Sequence, residues 1–229
     1  MPTRKARAPR SKVVSLEAAR RAGPGRRTQA ERRSETRSQL LDAALDQLVA
    51  TGLASFTTTE VVRRAGLSQG ALFKHFPSKA ELLASVAEHL FEQLRARYEA
   101  AFASLPPSKR DVAGGLELLW QQMLDPRLAA AYELYTAART DRELGLRLAP
   151  VVRAHVERIE AFAATLVDLG EPARVRAATG LAIAAIQGLV VNQMALPDAG
   201  QIARLREELG VLAGFIVSAP GRARRRRHG

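Results

Sequence analysis

The chain has no cysteine. That excludes disulfides, thiol catalysis and thiolate metal sites, and it fits a reducing cytoplasm. Histidine is scarce too. No two of His75, His89, His155 and His228 stand in an i, i+4 ligand spacing, so no metal site is expected. Glycine and proline are few and follow no period, which excludes collagen-like and linker-dominated chains. No catalytic triad, paired carboxylates or phosphate loop emerges, so an enzyme is not expected and no cofactor is implied. The longest apolar run, about 179–191, is too short to span a bilayer and is interrupted by Gln187 and Gly188. No apolar core follows the basic N-terminal residues, so neither a secretory signal nor a membrane partner is expected. Period-two alternation is also missing, which leaves strands without a signal.

What is present is apolar content and positive charge. Hydrophobic residues make up 47% of 229 positions, enough to bury a core in one large domain or two small ones. The formal net charge of +12 is unevenly placed. Residues 1–28 hold nine basic groups against Glu17 alone, a balance of +8; five arginines in 222–227 add +5, which leaves −1 for everything between. The excess charge belongs to two arms, 1–27 and 219–229, and not to the body. Such arms suit a polyanion, usually nucleic acid, because cations near a duplex release counterions. The plainer alternative is a pair of solvated tails.

Helical periodicity runs through the rest. Four capping boxes mark helix starts: Thr28 with Glu31, Thr57 with Glu60, Ser78 with Glu81, and the Asp-led variant Asp198 with Gln201. They predict helices at about 28–50, 58–65, 69–76, 78–103, 110–124, 126–138, 142–168, 172–195 and 199–218. The expected fold is all-α with about nine helices. It divides into the N-terminal arm, a DNA-reading unit over 28–79, a helical body over 80–218, and the Arg-rich tail.

The segment Thr57–Phe76 carries the function. Two short helices flank a tight turn at Gly66, with Ala65 small enough for a close crossing. Val61, Val62, Leu67, Leu72 and Phe76 are placed to bury inward. Ser68 caps the second helix and leaves its N-terminus free. This is what a helix-turn-helix needs to present a recognition helix to the major groove.

With those residues in place, the stretch from about Thr36 to Leu90 resembles the tetracycline-repressor (TetR) family of bacterial regulators. The resemblance rests on Thr57-Thr58, Ala65-Gly66, Ser68-x-Gly70-x-Leu72-Phe73-x-His75-Phe76 and Ser78-Lys79-x-x-Leu82, with Arg37, Leu40 and Ala43-Ala44 upstream. It implies an all-helical dimer with a variable ligand-binding domain behind the DNA reader. One departure is Phe73, where the family usually has tyrosine; a phosphate-bonding hydroxyl is missing. Chemistry assigns the remaining roles. Thr57, Thr58 and the helix N-terminal amides suit phosphate, as do Thr36, Arg37, Lys74, His75 and Lys79. Gln69 can pair with adenine, and Thr59 or Ala71 can touch a thymine methyl. Gly70 leaves room for the duplex, Phe73 can touch sugar or a thymine methyl, and Ser68 stands at the groove as the cap.

Behind the reader, Ala178, Leu181, Ala182, Ala185 and Leu189 on one helix, and Leu205, Leu209, Leu212 and Ile216 on the next, form two apolar faces. Paired with a twofold mate they would make a four-helix seam; otherwise they pack within one chain. Trp120, Met123, Tyr132, Tyr135, His155, Phe162 and Gln187 are candidates for lining a ligand pocket, against the alternative of ordinary core. The expected partners are double-stranded operator DNA, a second copy and an unidentified apolar or amphipathic small molecule. The competing reading is a sequence-independent, nucleic-acid-compacting protein driven by the basic arms, for which a helix-turn-helix would be superfluous.

Overall fold

The computed structural model describes residues 28–166 and 171–218, with the side chains of 216 and 217 also left aside. Both basic arms and Ile216 of the expected seam therefore lie outside the described side chains. Among the described residues there are nine α-helices and no strand: α1 (Gln29–Thr51), α2 (Thr58–Ala65), α3 (Gln69–His75), α4 (Lys79–Ser104), α5 (Val112–Met123), α6 (Arg127–Ala138), α7 (Arg142–Leu166), α8 (Pro172–Ala195) and α9 (Ala199–Ser218). Two 3₁₀ turns, Leu53–Ser55 and Pro107–Lys109, join them as well. Neither has a sequence pattern long enough to announce it.

The helix starts follow the capping chemistry. Thr57 Oγ1 accepts from the Glu60 amide at 3.2 Å, Ser68 Oγ from Ala71 at 3.1 Å and Ser78 Oγ from Glu81 at 3.2 Å. Each bond satisfies one of the first-turn donors that a helix leaves open. At the end of α2, Gly66 adopts φ 66°, and the Leu67 amide reaches back to Val62 at 2.9 Å. A side chain there would strain the left-handed backbone, so glycine is the residue that allows the tight turn into α3.

The chain divides into two compact units, Met1–Arg37 and Ser38–Gly229. In the first, Thr28 and Glu31 form a reciprocal capping box: the Thr28 amide donates to Glu31 Oε2 at 2.7 Å, and the Glu31 amide to Thr28 Oγ1 at 3.2 Å. In the second, α4 runs against α7, α5 and α6, α7 packs on α8, and α5 touches α9. One contiguous core extends from Leu40 and Leu45 of α1, through Val61, Leu72 and Phe76, to Leu90, Trp120, Leu134, Leu144 and Ile186. Each of these side chains is nearly sealed from water, and burying one is worth about 1.5–3 kcal/mol.

Helix α8 corrects one expectation. Its apolar character is not confined to the short run around 179–191. The 24-residue helix is long and apolar enough, by length and composition, to cross a membrane, its most apolar 18-residue window reaching a mean hydropathy of 1.4.

Candidate nucleic-acid interface

Helices α2 and α3 are held from beneath by Val61, Leu72 and Phe76, none more than 2% exposed. The opposite surface of α3 is open. Ser68, Gly70, Phe73 and Lys74 are exposed, while Gln69, Ala71 and His75 are half-buried. A Cβ built on Gly70 would meet only Ser68 Oγ, at 3.9 Å, so its surface is free for close approach. Phe73 keeps 47% of its surface in water, an unusual exposure for a large ring on a helix so well packed underneath.

On α2, Thr57 and Thr59 are exposed and Thr58 is half-buried. The two helices are joined by one side-chain bond, in which Gln69 Nε2 donates to Thr59 Oγ1 at 3.1 Å. Gln69 Oε1 is turned out of reach of solvent and has no protein partner. The expected base reader and the expected methyl reader are thus in contact with each other.

Lys79 has a second occupation that its sequence position does not reveal. Its ammonium donates to the Phe56 carbonyl at 2.9 Å and lies 5.3 Å from the centre of the Phe56 ring. It braces the turn before α2, which leaves it two further N–H donors. Thr36 and Arg37 belong to the first unit, where Thr36 Oγ1 donates to the Arg32 carbonyl at 2.8 Å.

Charge on α2 is partly offset within the helix, one carboxylate serving two guanidiniums. Glu60 accepts from Arg63 at 2.6 and 2.7 Å and from Arg64 at 2.7 Å. Those bonds from Arg63 and Arg64 hold its carboxyl down at about 2. The capping box of Thr57 is therefore one-sided, because the arginines have taken the carboxylate that would have bonded back.

Residues that sequence reasoning passed over tie this reader to the helices behind it. Glu133 Oε2 on α6 accepts the Leu53 amide at 2.5 Å. Ser78 Oγ, at the start of α4, donates to Glu143 Oε1 on α7 at 2.7 Å. Arg147 bridges Glu81, at 2.9 Å, and Glu143, at 3.1 Å. The bonds from Ser78 and then Arg147 keep the Glu143 carboxyl below the usual carboxylate range. Inside α1, the buried Gln47 donates to the Ser55 carbonyl at 3.2 Å. Apart from Glu143 and Arg147, one helical turn apart, these partners are 8 to 80 residues apart in sequence, and single-sequence periodicity carries no signal for such pairs.

The expected pocket residues fall into different settings. Trp120 and Met123 are core, 2% and 7% exposed. Tyr135 and His155 flank Phe91, with the His155 ring stacked 4.0 Å from it, and Tyr132 meets Tyr135 edge-on. Burial, then Arg158 and Arg95, push the imidazole down to about 4. Phe162 meets Tyr98 and Phe102 edge-on, at 5.3 and 5.4 Å, and Gln187 is half-buried. Trp120 Nε1 and the Tyr132 hydroxyl are buried without a hydrogen-bond partner. Two cavities lie elsewhere: one of about 250 Å³ beside Leu53, Lys79, Leu83 and Leu144, and one of about 310 Å³ beside Glu81, Ser85, Arg147 and Val151. None of the seven candidates lines either.

The expected seam also needs correcting. Leu189 is 5% exposed and belongs to the core, and Leu209 packs against that core. Leu181 (60%), Leu212 (52%) and Leu205 (38%) are open, Ala185 is exposed, and Ala178 and Ala182 are half-buried. Val191, Met194, Val211 and Phe215, the last at 69%, add apolar surface that the heptad-like spacing did not include.

An all-helical body carrying a capped, exposed recognition helix defines a helix-turn-helix DNA-binding regulator. Residues 40–86 match the family model for bacterial regulatory proteins of the tetR family. The chain is 40% identical over 124 residues to the HTH-type transcriptional regulator CymR of Pseudomonas putida, a match covering 54% of this chain and 60% of that relative. It is 31% identical over 140 residues to an uncharacterized HTH-type transcriptional regulator of Mycobacterium bovis, covering 61% of this chain and 72% of that one. Among solved structures, the multidrug binding protein EbrR complexed with ethidium shares its fold, with a TM-score of 0.60 at 22% identity over 80% of this chain and 99% of EbrR. The chain belongs to the tetR family of transcriptional regulators.

Proposed function

We propose that this chain is a repressor that binds a palindromic operator as a homodimer and is released from it by an apolar or amphipathic effector. The observation that carries the DNA-reading part is the open face of α3. Its first turn, Ser68–Ala71, is directed away from a core fixed by Leu72 and Phe76. Gln69 and Ala71 are the base contacts, with Thr59 and Phe73 beside them. Thr57, Thr58, Lys74, His75 and Lys79 hold phosphates, and Thr36 and Arg37 are separate phosphate candidates. Residues 28–79 act as the reader and residues 80–218 as the effector and dimerisation body.

Dimerisation is supported by the apolar surface that α8 and α9 leave uncovered, including Leu181, Leu212 and Phe215. A single recognition helix also reads too few base pairs for useful specificity. An effector is supported by the aromatic interior between α4, α6 and α7, where a Tyr132 hydroxyl lacks a partner, and by the likeness to a multidrug binding protein seen with ethidium. A DNA-reading role supports a cytoplasmic location.

The test is selection of bound duplexes from a random pool by the full chain, and by a version lacking 1–27 and 222–229. One dominant palindrome is expected from both. The truncated form should bind it more weakly and with a shallower salt dependence, because the log–log slope falls by about 0.9 for every phosphate that the arms no longer neutralise. Selected sequences without a shared motif would overturn the reading in favour of sequence-independent binding.

A further inference from the structure

Resting on the reading of Gln69 as a base contact, we propose that Thr59 restrains base reading: its hydroxyl competes with the operator base for the Gln69 amide. Gln69 stands at the first position of α3, where a recognition helix meets base edges. To read adenine it must offer an N–H and its carbonyl oxygen together. In the free protein the amide is not set out for this pairing, although its second N–H remains. One N–H is given to Thr59 Oγ1 at 3.1 Å, and Oε1 faces inward without a partner.

Two arrangements of the same side chain follow. Folded back, Gln69 makes one neutral hydrogen bond and leaves a buried acceptor unpaired. Extended to the groove, it gives up Thr59 and pairs both amide atoms with the base. A duplex with the wrong base cannot draw the amide out, so Gln69 stays on Thr59 and contributes nothing. Discrimination at that base pair is therefore the contest between one internal bond and two external ones, and Thr59 sets the internal side. Its methyl group is a separate matter, since a thymine contact would use the methyl and not the hydroxyl.

The test uses the full chain and the palindrome selected as above. The position read by Gln69 is the one where preference collapses in Gln69→Ala. Competition between the four base pairs at that position is then measured for Thr59→Val and Thr59→Ser, with and without Gln69→Ala. Thr59→Val keeps the methyl and removes the acceptor; preference for the favoured pair should rise by about 2- to 10-fold, the worth of one neutral hydrogen bond. Thr59→Ser restores the acceptor and should return the preference toward its starting value. In the Gln69→Ala background, Thr59→Val should change nothing. A fall in preference with Thr59→Val, or an equal shift with and without Gln69, would overturn the proposal. So would a shift confined to Thr59→Ser, which would mark Thr59 as a methyl contact. If a palindrome is selected but Gln69→Ala leaves every position intact, Gln69 is no reader and the proposal falls alone. If no palindrome is selected, the regulator reading falls as well.

Discussion

Glu133 on α6 accepts the backbone N–H of Leu53, 80 residues away, at 2.5 Å. Gly52, directly before Leu53, takes φ 72°, and a Cβ there would sit 3.2 Å from the same carboxylate. The turn that leads into α2 is thus built around a side chain from the helices behind it. Glu133→Ala should cost about 1 kcal/mol, the net worth of such a bond. Gly52→Ala should cost more, since it adds a left-handed alanine and crowds the carboxylate. Thermal melting checks both; unchanged midpoints would show that this tie contributes nothing.

Phe73→Tyr restores a hydroxyl on an exposed ring, 47% of whose surface is open. Operator affinity should tighten by about 2- to 10-fold through one added hydrogen bond. No charge is added, so the salt slope should not change. Anisotropy titrations over a range of salt read both quantities. A steeper slope would mean that the head had docked differently.

The seam and the core respond to different substitutions. Leu212→Glu or Phe215→Ser removes exposed apolar surface from α9 and should convert a dimer to monomers in sedimentation. Operator affinity should fall by roughly tenfold or more as one half-site is lost, since each 1.4 kcal/mol is tenfold. Leu189→Ala, inside the core at 5% exposure, should instead lower stability by about 2–5 kcal/mol while leaving the dimer intact.

Acid should weaken the body through His155. Its imidazole is held neutral to about 4, chiefly by burial, whereas in the unfolded chain it takes a proton near its ordinary value of about 6.5. Between these values the unfolded state binds the extra proton. Stability is therefore full above the higher value and declines as pH falls toward the lower one. A His155→Gln variant should show a flatter decline of melting temperature between pH 6.5 and 4. An identical profile would remove His155 as the cause.

Local chemistry was legible in the sequence, and distant pairing was not. Thr57, Ser68 and Ser78 announce helix starts because a capping bond spans three residues. Gly66 announces the turn because few residues tolerate its backbone. The same sequence could not show that Leu53 would meet Glu133, or that Ser78 would meet Glu143. Those outcomes depend on competition between partners brought together by folding. The seam shows a different limit. Helix α8 is apolar nearly all round, so its periodicity could not tell exposed Leu181 from buried Leu189. Only the placement of α7 and α9 decides which face is covered. Trp120 and Met123 meet a related limit: large side chains fill a core as readily as they line a pocket, and periodicity does not separate the two roles.

Helix α4 begins at Lys79, four residues beyond the end of α3, and runs unbroken to Ser104. Its 26 residues make a rod of about 39 Å at 1.5 Å each. A pivot of about 5° at one end sweeps the other through roughly 3 Å, close to the ~3.4 Å step between stacked bases. The helix therefore has the proportions of a lever: a change of angle of about 5° near Tyr98 and Phe102 would become, at Lys79, a displacement of about one base step.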